Sequence, residues 1–365
     1  MTKRELEIIN ILKENPIIPQ NEIADMLQIT RSSIGVHISN LIKKGYIKGK
    51  GYIIDEEPYV CILGGANMDI QGFPKNHLIR NDSNPGNVKV SLGGVGRNIG
   101  ENLINLGVRS KLITVLGNDI YAREIIEHSK KIGLEINDSL FLENEMGSTY
   151  LSILNDEGDL EIAISSMDIF EKMTMEFMQK KQKIVEASRV CVIDTNIPEN
   201  IIEYIVKNVK DKVFFLDTVS TSKAMKIKNI IGYFHTIKPN KYEAEMLSGI
   251  KITNDKDLEK AGDFFIEKGC KQVFISLGPE GIYYTNGEEK GKILGKKIEI
   301  INATGAGDAF VAGLIYSYLH EIDIKNSAKI AEAASIITIG HVDTINPKLS
   351  IEKIQEFIKE NKNVK

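Results

Sequence analysis

The first part of the chain carries apolar residues at helical spacing. Ile34, Ile38, Leu41 and Ile42 stand at positions i, i+4, i+7 and i+8, which puts them on one face of a helix. Up to about residue 55 this pattern predicts three helices followed by a β-hairpin. The boundary signals are Asn15-Pro16 after the first helix, the span Asn21–Leu27 for the second, Thr30 and Gly45 around the third, and a turn at 49–51 in the hairpin. We therefore expect residues 1–55 to form a separate small domain.

A different pattern begins after the short polar linker at 55–58. Short apolar runs alternate with amphipathic helical stretches, which is typical of a doubly wound α/β sheet whose ligands bind beyond the carboxyl ends of the strands. The predicted strands are 60–63, 111–116, 190–193, 213–216, 235–237, 273–276 and 281–284, and the predicted helices are 98–106, 122–131, 198–208, 241–247 and 258–268. Residues 59–365 are expected to form one large domain.

Two segments interrupt this alternation. Residues 82–93 and 148–165 contain polar and apolar positions that alternate with a period of two, together with turn residues such as Asn84-Pro85-Gly86. Such a pattern predicts antiparallel strands. A small sheet outside the main one needs its apolar face covered, so it could act as a lid, as a dimer interface, or as both.

One short stretch combines a turn with the start of an apolar helix. Ile298, Ile300 and Ile301 predict a strand, and Ala303-Thr304-Gly305-Ala306-Gly307-Asp308 follows it. Glycines let a ligand approach the backbone, and the free N–H groups of a helix start attract anions. Asp308 could then accept a proton from a hydroxyl beside the anion, as phosphoryl transfer requires. Alternatively, Asp308 only complements the helix dipole. The stretch is neither a P-loop nor a dinucleotide-binding fingerprint.

Composition limits the remaining classes. The chain has 365 residues, 42% of them hydrophobic, and a net charge of −4, so there is no general case for binding nucleic acid or an anionic membrane. Cys61, Cys191 and Cys270 lie far apart and are expected to be reduced core thiols. No apolar run approaches the roughly 18 residues of a membrane span, and the N-terminus does not look like a signal peptide. We expect a cytoplasmic protein with no membrane association.

Four motifs in a fixed order resemble the ribokinase (PfkB) family of sugar and nucleoside kinases over residues 60–345. They are Gly64-Gly65-Ala66-Asn67-Met68-Asp69, Gly93-Gly94-Val95-Gly96-Arg97-Asn98, Lys238-Pro239-Asn240-Lys241-Tyr242-Glu243 and Ala303-Thr304-Gly305-Ala306-Gly307-Asp308. Within the family the chain looks most like the pseudouridine kinase branch, on the basis of residues 82–86, 93–99, 148–152 and 238–240. Ribokinases usually carry Ala at the position of Arg97.

This resemblance implies a ribokinase-like α/β fold with a small β lid and ATP-dependent phosphorylation of the 5′-hydroxyl of pseudouridine. Asp308 would be the catalytic base, with a pKa lowered by the helix start. Backbone N–H groups of Gly305, Ala306 and Gly307 would hold the transferring phosphoryl group. The remaining implied roles are substrate binding by Asn67, Asp69, Gly93, Gly94, Asn98 and Thr149, with Ser152 beside Thr149; nucleotide binding by Ser276, Gly278, Thr304 and Asn240; and magnesium binding by Asn240 and Glu243.

Several alternatives stay open. Asn240 and Glu243 could simply cap the helix that follows them. The substrate could be another nucleoside or sugar, such as ribose, adenosine or fructose. Asn302 stands where a carboxylate is frequent in the family, which leaves activation by potassium in doubt. A homodimer is expected, and the chain could instead be a transcription regulator whose kinase-like domain only senses a ligand.

Residues 1–55 resemble the winged helix-turn-helix of bacterial regulators. The outer face of the third helix would then carry Arg31, Ser32, Ser33, Val36, His37 and Asn40, and the wing would carry Lys48 and Lys50. Arg and Asn can read base edges, and Lys can contact phosphates. The local excess of positive charge is only two, and the module could instead pack on a partner or shield an edge.

Overall fold

The structure is a computed structural model that describes residues 1–48, 57–157, 159–295 and 301–361. The chain divides into two compact units, Met1–Pro58 and Tyr59–Lys365. The predicted hairpin turn at 49–51 and Lys50 lie outside the described residues. None of the described helices is long and apolar enough to cross a bilayer.

The described residues of the first unit form three helices around a small apolar core. They are α1 (Lys3–Glu14), α2 (Gln20–Leu27) and α3 (Arg31–Lys43). The side chain of Thr30 accepts a hydrogen bond from the N–H of Ser33 and so caps α3 as predicted. The apolar face of α3 differs in part from the prediction: Ile34, Ile38 and Leu41 are buried, whereas Ile42 is 50% exposed.

The second unit contains an eight-stranded sheet, a four-stranded sheet and ten α-helices among the described residues. The strands are β1 (Val60–Leu63), β2 (Asn67–Pro74), β3 (Gly86–Gly93), β4 (Ser110–Ile113), β5 (Val115–Leu116), β6 (Leu140–Phe141), β7 (Thr149–Leu154), β8 (Leu160–Ser166), β9 (Val190–Asp194), β10 (Phe214–Asp217), β11 (Thr236–Ile237), β12 (Gln272–Ser276), β13 (Gly281–Thr285) and β14 (Lys290–Leu294). The helices are α4 (Val95–Asn105), α5 (Ile120–Ile132), α6 (Met175–Ala187), α7 (Glu199–Asn208), α8 (Thr221–Ala224), α9 (Lys241–Ser248), α10 (Asp255–Glu267), α11 (Ala306–Leu319), α12 (Ile324–Ile339) and α13 (Ile351–Glu360).

The large sheet confirms the predicted doubly wound architecture. Its order is β14-β13-β12-β11-β10-β9-β1-β4, with parallel pairing from β4 to β12 and antiparallel pairing at β13 and β14. Strands such as β1 and β9 are buried along their whole length, because helices cover both faces of the sheet. Gly64, Asp194, Asp217 and Lys238 stand at the carboxyl ends of β1, β9, β10 and β11. These ends meet at one edge, where ligands of such sheets bind.

The smaller sheet, which we call the lid sheet, has the order β3-β2-β7-β8. Three of its strands confirm the predicted strands at 82–93 and 148–165. The fourth, β2, is not in the prediction, and it pairs in parallel with β7. Exposed apolar side chains share one face of this sheet, namely Val88, Val90, Ile162 and Ile164.

Two predicted strands differ from the structure. The run 111–116 is divided between β4 in the large sheet and β5, which pairs with β6 in a separate two-stranded sheet. Ile301 was predicted to lie in a strand, but it lies in a bend, is 58% exposed, and donates its N–H to the carbonyl of Ile339. The rest of that predicted strand, with Ile298 and Ile300, is outside the described residues.

Candidate active site

The predicted anion turn begins helix α11. Gly305 is the residue before the helix and has φ +83°, a left-handed conformation that glycine adopts without strain. A Cβ at this position would lie 2.1 Å from the carbonyl oxygen of Thr344, so a larger residue does not fit. No side chain caps α11, and the N–H groups of its first turn are therefore available to an anion.

Asp308 lies in the first turn of α11 and is 8% exposed. Its Oδ2 accepts a hydrogen bond of 2.7 Å from Nδ2 of Asn98. Burial raises the pKa of Asp308 to about 7, and the negative charges of Asp217 and Asp194 raise it too, against the opposing effects of Asn98 and Lys238. The expectation of a lowered pKa was wrong, because burial outweighs the helix start.

Asn98 and the glycine pair before it connect Asp308 to the lid sheet. Gly94 precedes α4 with φ +96°, and a Cβ there would lie 2.5 Å from backbone atoms of residues 65 and 66. A Cβ on Gly93 would lie 2.3 Å from Oδ2 of Asp69. The two glycines thus allow the end of β3 to approach both the first strand turn and the Asp69 carboxylate.

Asn67 and Asp69 lie together at the start of β2. Nδ2 of Asn67 donates to Oδ1 of Asp69 over 2.6 Å. Burial raises the pKa of Asp69, whereas Asn67 and the charge of Arg97 oppose this rise. The structure therefore brings Asn67, Asp69 and Gly93 together with Asn98 and Asp308 through the start of α4.

Thr149 is placed differently from these residues. In the lid sheet Met68 pairs with Thr149, and Asp69 pairs with Tyr150. Because successive side chains of a strand point to opposite faces, Thr149 lies on the face opposite Asp69. Tyr150 and Ser152 lie on the same face as Asp69, and only Ser152 of these two was singled out from the sequence.

Lys238 and Asp217 belong to the site, although the sequence analysis assigned them no role. Nζ of Lys238 lies 3.1 Å from Oδ2 of Asp217, and a Cβ on Gly307 would lie 2.8 Å from the same Nζ. Burial alone would lower the pKa of Lys238, but Asp217, Glu243 and Asp308 together raise it. Their positions in the sequence could have indicated this role. Lys238 directly follows a short apolar strand and Asp217 ends another, both at the edge of the sheet where ligands bind.

A cavity of about 620 Å³ adjoins the anion turn. Its walls include Lys238, Ser276 and Gly278 at one side, and Ala306 and Gly307 at the helix start. Apolar side chains of Ile282, Phe310, Ile336 and Ile339 also line it. Glu332 lines the cavity as well. An uncapped helix start beside an apolar body suits a nucleotide, with the phosphates toward the helix and the base among the apolar groups. Thr304, which was predicted to bind the nucleotide, uses its backbone N–H for a hydrogen bond to Oδ1 of Asn302.

Asn240 and Glu243 form a capping box at the start of α9. Oε2 of Glu243 accepts the backbone N–H of Asn240 at 2.8 Å and the hydroxyl of Thr218 at 2.6 Å. The capping alternative is therefore present in the structure. Within the described part of the chain, no group of three or more His, Cys, Asp or Glu side chains could hold a metal ion by itself. Magnesium usually keeps several waters, so one buried carboxylate is compatible with binding through water.

Two family models and two curated proteins are similar to this chain. The model of the pfkB family of carbohydrate kinases matches residues 57–351, and a winged helix-turn-helix DNA-binding model matches residues 1–48. The uncharacterized sugar kinase YeiI of Escherichia coli (strain K12) is 36% identical over 359 residues, which are 98% of this chain and 99% of YeiI. The pseudouridine kinase of the same strain is 34% identical over 304 residues, or 83% and 97% of the two chains.

A solved structure is similar over the same region. The crystal structure of a proposed sugar kinase from Clostridium perfringens superposes with a TM-score of 0.75 at 42% identity, and the match covers 84% of this chain and 96% of that one.

Proposed function

This chain belongs to the pfkB family of carbohydrate kinases, and on that premise we propose that it transfers the γ-phosphoryl group of ATP to the 5′-hydroxyl of pseudouridine. The observation that carries the proposal is the buried carboxylate of Asp308 at the uncapped start of α11. A proton acceptor beside an anion-binding helix start is what transfer of a phosphoryl group to an alcohol requires.

Asp308 would accept the proton of the attacking hydroxyl. With a pKa of about 7, it is a stronger base than an ordinary aspartate and is still partly ionised at neutral pH. The backbone N–H groups of Gly305, Ala306 and Gly307 would donate to the transferring group as its charge is redistributed. Lys238, held by Asp217, would add a positive charge at the same end of the cavity.

The ribosyl group is proposed to lie between Asp308 and the lid sheet. Asp69 can accept hydrogen bonds from two hydroxyls, and Asn67 and Asn98 offer both donors and acceptors. The nucleotide is proposed to occupy the 620 Å³ cavity, next to Ser276 and Gly278. When bound, magnesium would neutralise phosphate charge, and Asn240 and Glu243 are the residues proposed to hold it through water.

The substrate can be tested with a panel of pseudouridine, uridine, adenosine, guanosine, ribose and fructose. Purified protein is incubated with ATP and magnesium, and both ADP and the phosphorylated product are measured. The proposal expects turnover with pseudouridine and little with the others. Turnover with another member of the panel would support kinase activity and identify a substrate other than pseudouridine. A protein that turns over none of them, but whose DNA affinity changes with a nucleoside, would favour the regulator alternative.

Residues 1–48 are proposed to bind DNA through α3. Thr30 and Ser33 hold the start of the helix, and Arg31 at its first position is exposed, as a base-reading residue must be. To test DNA binding, the full chain is mixed with random duplex DNA and the preferred sequence is selected. Loss of the sequence preference in R31A, with kinase activity unchanged, is expected. Deleting residues 1–58 should also leave the kinase activity.

A homodimer is proposed to cover the apolar face of the lid sheet. Val88, Val90, Ile162 and Ile164 are between 48% and 70% exposed there, and such a continuous apolar patch favours association. Light scattering of the full chain should give twice the monomer mass. V88K/I162K should reduce it to the monomer, and a monomeric parent protein would contradict the proposal.

A further inference from the structure

Arg97 is a charged residue in the interior of the second unit, and its side chain is only 2% exposed. Its guanidinium makes four hydrogen bonds. Nε donates to the carbonyl of Gly93 and Nη2 to the carbonyl of Leu92, both over 3.1 Å. Nη1 donates to Oε2 of Glu101 over 2.5 Å, and Nη2 also donates to Oδ1 of Asn98 over 2.6 Å. This guanidinium therefore joins the end of β3, helix α4 and the side chain that contacts Asp308.

The bond to Asn98 determines which way its amide faces. A guanidinium has donors only, so the atom of Asn98 next to Arg97 has to be the carbonyl oxygen Oδ1. The NH2 group is then left to donate to Oδ2 of Asp308 at 2.7 Å. With the amide reversed, an NH2 group would face the guanidinium and an oxygen would face the carboxylate. Both contacts would be repulsive.

The same guanidinium acts on the second acid of the site. A Cβ on Gly93 would touch the Asp69 carboxylate, and Nε of Arg97 donates to the carbonyl of the same Gly93. The positive charge of Arg97 lowers the pKa of Asp69 against the effect of burial. Both carboxylates proposed to meet the sugar thus depend on one side chain, which Glu101 keeps paired.

We propose that Arg97 is a positioning residue: it orients the amide of Asn98 so that Asn98 holds Oδ2 of Asp308, which leaves Oδ1 as the oxygen that accepts the proton of the substrate hydroxyl. The inference rests on the proposed function, because Asp308 is taken to be the base. Arg97 is buried, and it is not proposed to contact substrate or nucleotide. Its action passes through Asn98.

The test compares R97K, which keeps the charge and loses the planar fork, with R97M/E101Q, which removes both members of the ion pair. R109K is the matched control. Arg109 is a half-buried arginine that pairs with Glu135 over 2.7 Å, away from Asp308. Thermal melts show which variants fold. The readouts are kcat, the KM for each substrate, and the pH dependence of kcat.

For R97K we expect kcat to fall about 10-fold to 100-fold, because one hydrogen bond to a charged group is lost from a defined geometry. The KM for ATP should stay within about twofold, and the acid limb of the pH profile should move up by about one unit. R97M/E101Q should show the same shift, and R109K should show none. Equal losses of kcat in R97K and R109K, with no movement of the acid limb, would overturn the proposal.

A second measurement does not depend on turnover. Protein labelled with ¹³C in the aspartate side chains is titrated by NMR, and D308N identifies the signal of Asp308. The titration of Asp308 should move upward in R97K and stay in place in R109K. If the parent protein phosphorylates no nucleoside, the proposed function fails, yet this titration still decides whether Arg97 acts on Asp308. An unchanged titration in R97K would refute that action even in an active enzyme.

Discussion

Replacing Asp308 with Asn should lower turnover by about 100-fold or more and, at the same time, make the protein more stable at alkaline pH. The ordinary pKa of an aspartate is 3.8, and burial raises that of Asp308 to about 7. The folded state therefore binds the proton more tightly than the unfolded state. Stability from this group is present at low pH, is lost as the pH rises from about 4 to 7, and stays lost above 7.

The size of the effect follows from the same values. Three pKa units correspond to roughly 4 kcal/mol of folding free energy, which is an upper estimate because the site can relax. Asn cannot ionise, so D308N avoids this cost, and its carbonyl oxygen can still accept the hydrogen bond from Asn98. At pH 8 the melting temperature should rise by several degrees, at roughly 2 °C per kcal/mol for a unit of this size. At pH 5 less than half of the gain should remain.

The assay is differential scanning calorimetry of the parent protein, D308N and D211N at pH 5 and pH 8, together with ADP release at pH 8. Asp211 is exposed, so D211N controls for removal of one charge. Turnover by D308N should fall about 100-fold to 10,000-fold, as expected for loss of a general base. An unchanged or lower melting temperature at pH 8 would refute the burial argument, and wild-type turnover in D308N would refute the assignment of the base.

Three other outcomes are expected. The kcat/KM of the parent protein should fall about tenfold for each pH unit below about 7, because only ionised Asp308 accepts a proton; a flat profile between pH 5 and pH 8 would exclude this. G93A should raise the KM for nucleoside at least tenfold and leave that for ATP nearly unchanged, since its Cβ would lie 2.3 Å from the Asp69 carboxylate. G340A, whose Cβ has no atom nearer than 3.8 Å, should change neither KM. K238M should weaken ATP binding about tenfold or more, measured by calorimetry.

The anion turn was predictable because its signal is local. Gly305, Gly307 and Asp308 lie within four residues, and the left-handed φ of Gly305 is a conformation that the residue type itself suggests. The buried parallel strands were predictable for a similar reason, since each is a short, continuous apolar run. The pfkB match confirms the family inferred from the order of four motifs, and the winged helix-turn-helix match confirms the one inferred from three helices followed by a hairpin.

The lid sheet shows where local signals fail. Strand β2 contains Asp69, Gly72 and Pro74 and has little intrinsic strand preference. It forms because β3 and β7 pair with it on either side. Its register decides the face on which each side chain lies, and so it separates Thr149 from Asp69. No pattern within residues 148–152 could reveal this, since the partner strand lies about 80 residues earlier.

The charges in the site, like the lid sheet, depend on which strands pair with each other. Asp194 and Asp217 end neighbouring strands, and burial raises the pKa of Asp194 to about 6. The charges of both then raise the pKa of Asp308, while Lys238 restrains it. A helix start considered alone predicts a weak base, whereas the assembled strand edge predicts one that is half ionised near neutral pH. Phosphate charge brought beside Asp308 would raise its pKa further, so Lys238 and Asn98 are needed to keep a fraction of the base ionised when the nucleotide is bound. Asn98 meets this requirement through its hydrogen bond to Oδ2 of Asp308, and Lys238 meets it through its positive charge, while its Nζ pairs directly with Asp217.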